Sequence, residues 1–125
     1  MPVYGSQNPI ALSSGTVVNV WNAETPTPGN GTTAASQQVA LTPGRGFAAD
    51  LKFSGAPGTF EVDVQAAAGD ADTNYQTVAN GNITTVDSTN NTAHFDGSLV
   101  VARFVRLLMR SRGNAVSVTA TITGA

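Results

Sequence analysis

The sequence predicts an all-β protein: an antiparallel β-sandwich of jelly-roll type, with about eight strands and an extended N-terminal arm. Three observations carry that prediction. Apolar and polar residues alternate with period two in several separate segments, as they do where a strand shows one face to a core and the other to water. Clusters of Gly, Pro, Asn and Ser break the chain between those segments at short intervals. No segment reads as a convincing helix, and no internal repeat occurs at a fixed spacing.

Residues 1–16 read as the arm, and residues 17–125 as one domain, the natural number for a chain of 125 residues. Pro2, Gly5, Pro9 and Gly15 interrupt regular structure in the arm, while Tyr4, Ile10 and Leu12 are isolated apolar anchors. A frayed terminus fits this stretch, and so does an arm that docks on a neighbouring subunit. Residues 16–22, TVVNVWN, are the first strand of the domain. Residues 23–36, with two prolines and two glycines, read as a long surface loop that cannot pack a core. Residues 37–42 form a short strand closed by Pro43-Gly44.

Residues 47–54 alternate with Phe47, Ala49, Leu51 and Phe53 on one face, and residues 59–66 alternate with Phe60, Val62, Val64 and Ala66 inward. The Gly55-Ala56-Pro57-Gly58 turn between them suggests a hairpin. Residues 67–74 are a loop. Residues 75–79 and 82–87 are short strands around Asn80-Gly81, a favoured tight-turn pair. Residues 93–96 are short and ambiguous.

Residues 99–112, LVVARFVRLLMRSR, are the longest apolar run and hold four of the six basic residues. Val101, Val105, Leu107 and Met109 share one face; Phe104, Arg106, Leu108 and Arg110 share the other. A strand apolar on both faces is a central one. After the Ser111-Arg112-Gly113-Asn114 turn, residues 115–123 alternate cleanly and are rich in β-branched residues, so the two runs read as a C-terminal hairpin.

Composition narrows the function. Net charge is −2 with 11% charged residues, so the basic footprint of a nucleic-acid binder is missing. No apolar run reaches membrane-spanning length, and the first residues lack the pattern of a secretory signal. Cysteine is absent, which removes thiol chemistry and disulfides.

The chemistry-bearing residues are few. His94, the single histidine, has Asp96 two residues on, a weak pairing better read as structural or solvated. Zinc would require several carboxylates in place of the usual ligands. Residues 70–74, DADTN, resemble the start of a calcium loop, but Tyr75 and Gly81 stand where its internal glycine and bidentate Glu belong. Glu61 and Asp63 read as outward carboxylates paired across strands with Arg106 and Arg110. Exposed pairs of that kind contribute about 0–1 kcal/mol each. Arg103, Arg106, Arg110 and Arg112 alternate with Phe104 and Leu108, a composition enriched at protein interfaces. The sequence thus predicts no catalytic residues, no metal and no cofactor, and hence no enzyme.

The segments LKFSGAPGTFEVDVQAA, GDADTNYQTV and VARFVRLLMRSRGNAVSVTATI resemble a family of small structural proteins encoded by tailed bacteriophages, over residues from about 47 to 122. The resemblance implies a β-sandwich virion component: a capsid decoration (cement) protein on the outside of the major capsid protein lattice, a homo-oligomer with a trimer favoured, assembled in the host cytoplasm. Tyr4, Ile10, Leu12, Arg103, Phe104, Arg106 and Arg110 are then the candidate subunit or capsid contacts. The alternative is a glycan- or receptor-binding module on a phage head or tail fibre, with Trp21, Tyr75 and the 23–36 loop as the sugar platform. ARFVRLLMRS is also similar to a core strand of discoidin-type sugar- or lipid-binding domains, whose apolar loop spikes this chain lacks.

Overall fold

The alternating segments become strands whose apolar faces meet in one core. The computed structural model describes residues 8–29, 34–42, 45–97 and 102–125. Tyr4, Val101 and the Pro43-Gly44 turn lie outside them. The strands are β1 (Ile10–Leu12), β2 (Val17–Glu24), β3 (Val39–Leu41), β4 (Phe47–Phe53), β5 (Phe60–Ala67), β6 (Gln76–Ile83), β7 (Thr92–Asp96), β8 (Phe104–Arg112) and β9 (Val118–Gly124). A 3₁₀ turn, Asp72–Asn74, precedes β6.

Two sheets form the sandwich. Sheet A has the order β1-β3-β8-β5-β6 and sheet B the order β2-β9-β4-β7. Pairing is antiparallel except between β1 and β3, where Ile10, Ala11 and Leu12 run beside Val39, Ala40 and Leu41. Strands β2 to β9 have the two four-stranded sheets of a jelly roll, as the sequence predicts. Between the sheets Trp21, Phe47, Leu51, Phe53, Phe60, Leu107, Met109 and Ile122 are fully buried. Each such side chain contributes about 1.5–3 kcal/mol. The Phe53 and Phe60 rings pack tilted, 5.0 Å apart.

Strand β8 is central, between β3 and β5, and its two faces divide as expected: Val105, Leu107 and Met109 enter the main core, while Leu108 on the other face packs with Ala34 and Ala35. Both long hairpins are corrected. β8 pairs with β5 and β3 in sheet A, whereas β9 pairs with β4 and β2 in sheet B. Likewise β4 and β5 lie in opposite sheets. The connections after β4 and β8 arch across the core instead of folding a strand back on its neighbour. Among consecutive strands of the described residues only β5 and β6 pair with each other.

Asn80-Gly81 is likewise no hairpin turn. It lies within one strand, β6, as a bulge: Gln65 pairs with Thr77 and Asp63 with Asn82, so Val64 alone faces residues 78–81. Asn80 takes φ 60° there, and a Cβ on Gly81 would come within 2.9 Å of the carbonyl oxygens of Val64 and Val78.

The N-terminal stretch and the 23–36 loop are also more integrated than the sequence suggested. Residues 10–12, expected in the arm, form the edge strand of sheet A, and Leu12 enters the core at 3% exposure. Ala34, Ala35 and Ser36 are fully buried and extend the pairing along β8: the Ser36 N–H donates to the Leu107 carbonyl (2.8 Å), the Leu107 N–H donates to Ser36 Oγ (2.9 Å), and the Met109 N–H donates to the Ala34 carbonyl (2.8 Å).

Candidate functional site

The outward side chains of β8 and β5 build a polar layer on sheet A. Cross-strand register sets Arg106 opposite Gln65 and Leu108 opposite Asp63. Alternation makes these positions face away from the main core; residues 70–75 fold back over Arg106, while Leu108 packs with Ala34 and Ala35. Arg106 is buried at 2% exposure. Its Nε donates to Gln65 Oε1 at 2.9 Å, its Nη1 pairs with Asp72 Oδ1 at 2.7 Å, and its guanidinium lies 4.2 Å from the centre of the Tyr75 ring. The Tyr75 hydroxyl donates to Asp70 Oδ1 at 2.7 Å, and Gln38 Nε2 donates to the same oxygen at 3.3 Å. Burial, and then the Asp70 carboxylate, push the Tyr75 phenol well above its ordinary pKa, so it stays a hydrogen-bond donor.

Asp63 is buried too, and accepts from Arg110 Nε, Thr77 Oγ1 (3.1 Å) and Asn82 Nδ2 (2.6 Å). The expected Arg110–carboxylate pairing is present, but Asp63 is not a solvent-facing partner, and Arg106 pairs with Asp72 rather than with Glu61 or Asp63. Asp70 and Asp72, considered as cation ligands, have oxygens committed to Tyr75, Gln38 and Arg106.

The expected contact residues therefore separate. Arg103 is exposed, with its guanidinium 5.4 Å from the Phe104 ring, and Phe104 and Arg110 are half-buried. Arg106 is enclosed by its own chain, which removes its side chain from any contact with a second subunit. Ile10 is 44% exposed, whereas Leu12 anchors its own domain. Trp21 is fully buried with its indole N–H unpartnered, and Tyr75 is covered by the layer just described. A sugar platform needs an open ring face, so neither residue supplies one.

His94 finds a different partner from the one expected. Its Nδ1 lies 2.7 Å from Asp50 Oδ1 on the adjacent strand, because β4 and β7 place residues 50 and 94 side by side. This pair lies in a groove of ≈ 590 Å³ on the outer face of sheet B, which Lys52, Thr92, Thr119, Thr121 and Asp87 also line. A second groove of ≈ 500 Å³ is lined by Lys52, Ser54, Asn90, Asn91, Ser117 and Thr119. The two share Lys52 and Thr119 in their walls and are together termed the trough. Alternation marks Asp50, Lys52, Thr119 and Thr121 as outward, but the sequence does not tell that β9 and β7 flank β4 and gather them.

Comparison of the chain with protein-family models, with curated proteins and with solved structures gives no significant match.

Proposed function

We propose that the protein is a structural component of a phage virion: a capsid decoration (cement) protein that binds the outside of the major capsid protein lattice as a homo-oligomer, with a trimer favoured. The reading assigns binding and not turnover. The observation that supports it most is the apolar margin of the sandwich. Ile10 and Val17, at 44% and 61% exposure, are the exposed large apolar residues among those described. They lie on β1 and β2, the edge strands on the same side of the two sheets. Edge strands offer unpaired backbone groups as well as side chains. Arg103 is exposed just before β8, with Phe104 as its aromatic neighbour, and its carbonyl accepts from the Leu41 N–H at 2.7 Å. The sequence resemblance to phage structural proteins supplies the partner. A cement protein acts by adding buried area across capsomer junctions; a stable contact needs about 1,200–2,000 Å² in total.

The test is co-sedimentation of the purified protein with phage heads. The expected result is stoichiometric binding by the wild type and at least a tenfold loss on combining Ile10→Asp with Val17→Asp, with thermal unfolding unchanged. Both substitutions sit on exposed positions and spare Leu12. Full decoration by the double variant, or a wild type that stays in the supernatant, would refute the proposal.

A further inference from the structure

We propose that the outer face of sheet B binds a neutral oligosaccharide, in the trough that runs over β9, β4 and β7. The proposal is independent of the virion reading and moves the sugar-binding alternative away from Trp21 and Tyr75, which are buried, to residues that are open.

Register arranges the trough floor in two rows. Thr121, Asp50 and His94 lie side by side across three strands, and Thr119, Lys52 and Thr92 form the next row. Polar groups on such a floor recur about 5 Å apart across strands and about 7 Å apart along them, the dimensions of a hexose ring. Much of their hydrogen-bonding capacity is uncommitted within the described residues. Asp50 uses one carboxylate oxygen on His94 Nδ1, leaving the second oxygen and His94 Nε2. Lys52 uses one N–H on the Asn90 carbonyl at 2.7 Å, and Thr119 Oγ1 accepts from the Ala23 N–H at 3.1 Å while keeping its own proton. The hydroxyls of Thr92 and Thr121 have no side-chain partner among the described residues.

Acceptors, donors and hydroxyls that do both are the complement of a vicinal diol, in which each hydroxyl donates and accepts. Charges of both signs are interleaved, so the floor presents no single-sign field to attract a polyanion. The second groove adjoins the first at Lys52 and Thr119, and two adjoining grooves suit a chain of sugar units rather than one. Among the described residues no open aromatic ring lines the trough: Phe53, in the wall of the second groove, is 2% exposed. Hydrogen bonds exchanged against water contribute little net, so a dissociation constant of roughly 1 mM is expected.

The experiment is an amide NMR titration of the whole protein with neutral trisaccharides of glucose, mannose, galactose and N-acetylglucosamine, with a sulfated trisaccharide in parallel. The expected result is saturable shifts at residues 50–52, 92–94 and 119–121 with at least one neutral sugar. Asp50→Ala combined with Thr121→Val should weaken binding at least tenfold, and Glu61→Gln on the other sheet should leave it unchanged. Unaltered fluorescence of Trp21, the single tryptophan, confirms that each variant is folded. Three outcomes would overturn the proposal: no saturable shift with any neutral sugar, saturation by the sulfated sugar alone, or wild-type affinity in the double variant.

Discussion

Arg106 and Asp72 differ in burial, and that difference predicts an asymmetric mutant cycle. The Arg106 side chain is 3% exposed and that of Asp72 is 41% exposed. Removing the carboxylate in Asp72→Ala strands a buried cation with only Gln65 and the Tyr75 ring beside it. Losing one partner of a fully buried pair costs about 3–5 kcal/mol. Here water can reach the vacated position, so the cost should be about 2–4 kcal/mol. Arg106→Met removes the cation itself. It leaves Gln65 Oε1 short of a donor, at about 1–3 kcal/mol, and frees a half-solvated Asp72 at little cost. The stacked contact with Tyr75 adds about 1 kcal/mol, offset by relief of guanidinium desolvation. Asp72→Ala should therefore be the worse single change, and the double variant no worse than Arg106→Met alone. Urea unfolding followed by Trp21 fluorescence measures all four corners of the cycle. Additive costs, with coupling below about 0.5 kcal/mol, would refute the reasoning. So would an Arg106→Met variant less stable than Asp72→Ala.

Tyr75 predicts an alkaline signature. Its phenol titrates higher folded than unfolded, so its contribution is intact below about pH 10 and is lost as pH rises from there towards the folded value. Tyr75→Phe should cost about 1 kcal/mol near neutral pH through the lost bond to Asp70, and that deficit should shrink or reverse at about pH 11; an equal deficit in urea midpoints at both pH values would count against this account. Gly124 closes the seam between β9 and the β1–β2 connection, and a Cβ there would overlap the Ser13 carbonyl. Gly124→Ala should cost about 1–3 kcal/mol, read as a drop in melting temperature, and a neutral result would mean that residues 13–16 shift freely.

Strand locations were largely legible, because alternation reports which residues face a core. It does not report which strand lies alongside. Phe47–Phe53 and Phe60–Ala67 send Leu51 and Val62 into the same core whether the strands pair side by side or stack in opposite sheets, so the Gly55–Gly58 turn fits a hairpin and an arch equally well. A jelly roll requires the arch, and two long hairpins were incompatible with the fold class that the same sequence predicts. The polar layer was misjudged for a related reason. Asp63, Gln65 and Arg106 do face away from the main core, but Arg106 is covered by the return of residues 70–75, and Asp63 is held by Thr77, Asn82 and Arg110; no local pattern encodes either. Leu12 and Ala34–Ser36 have the same origin: short, irregular segments owe their burial to distant partners. For the trough, Asp50 and Thr121 lie 71 positions apart in the chain, 121 − 50, and become neighbours only through the β4–β9 register.

The placement of β8 and β9 has a consequence for biosynthesis. Each is an interior strand of its sheet: β8 separates β3 from β5, and β9 separates β2 from β4. A nascent chain that has emerged only as far as β7 holds the flanking strands of both layers but neither keystone. Its half-sheets have open sides and its aromatic residues no lid. The domain is therefore expected to remain unfinished on the ribosome until residues 104–124 clear the exit tunnel, exposed meanwhile to chaperone capture and self-association.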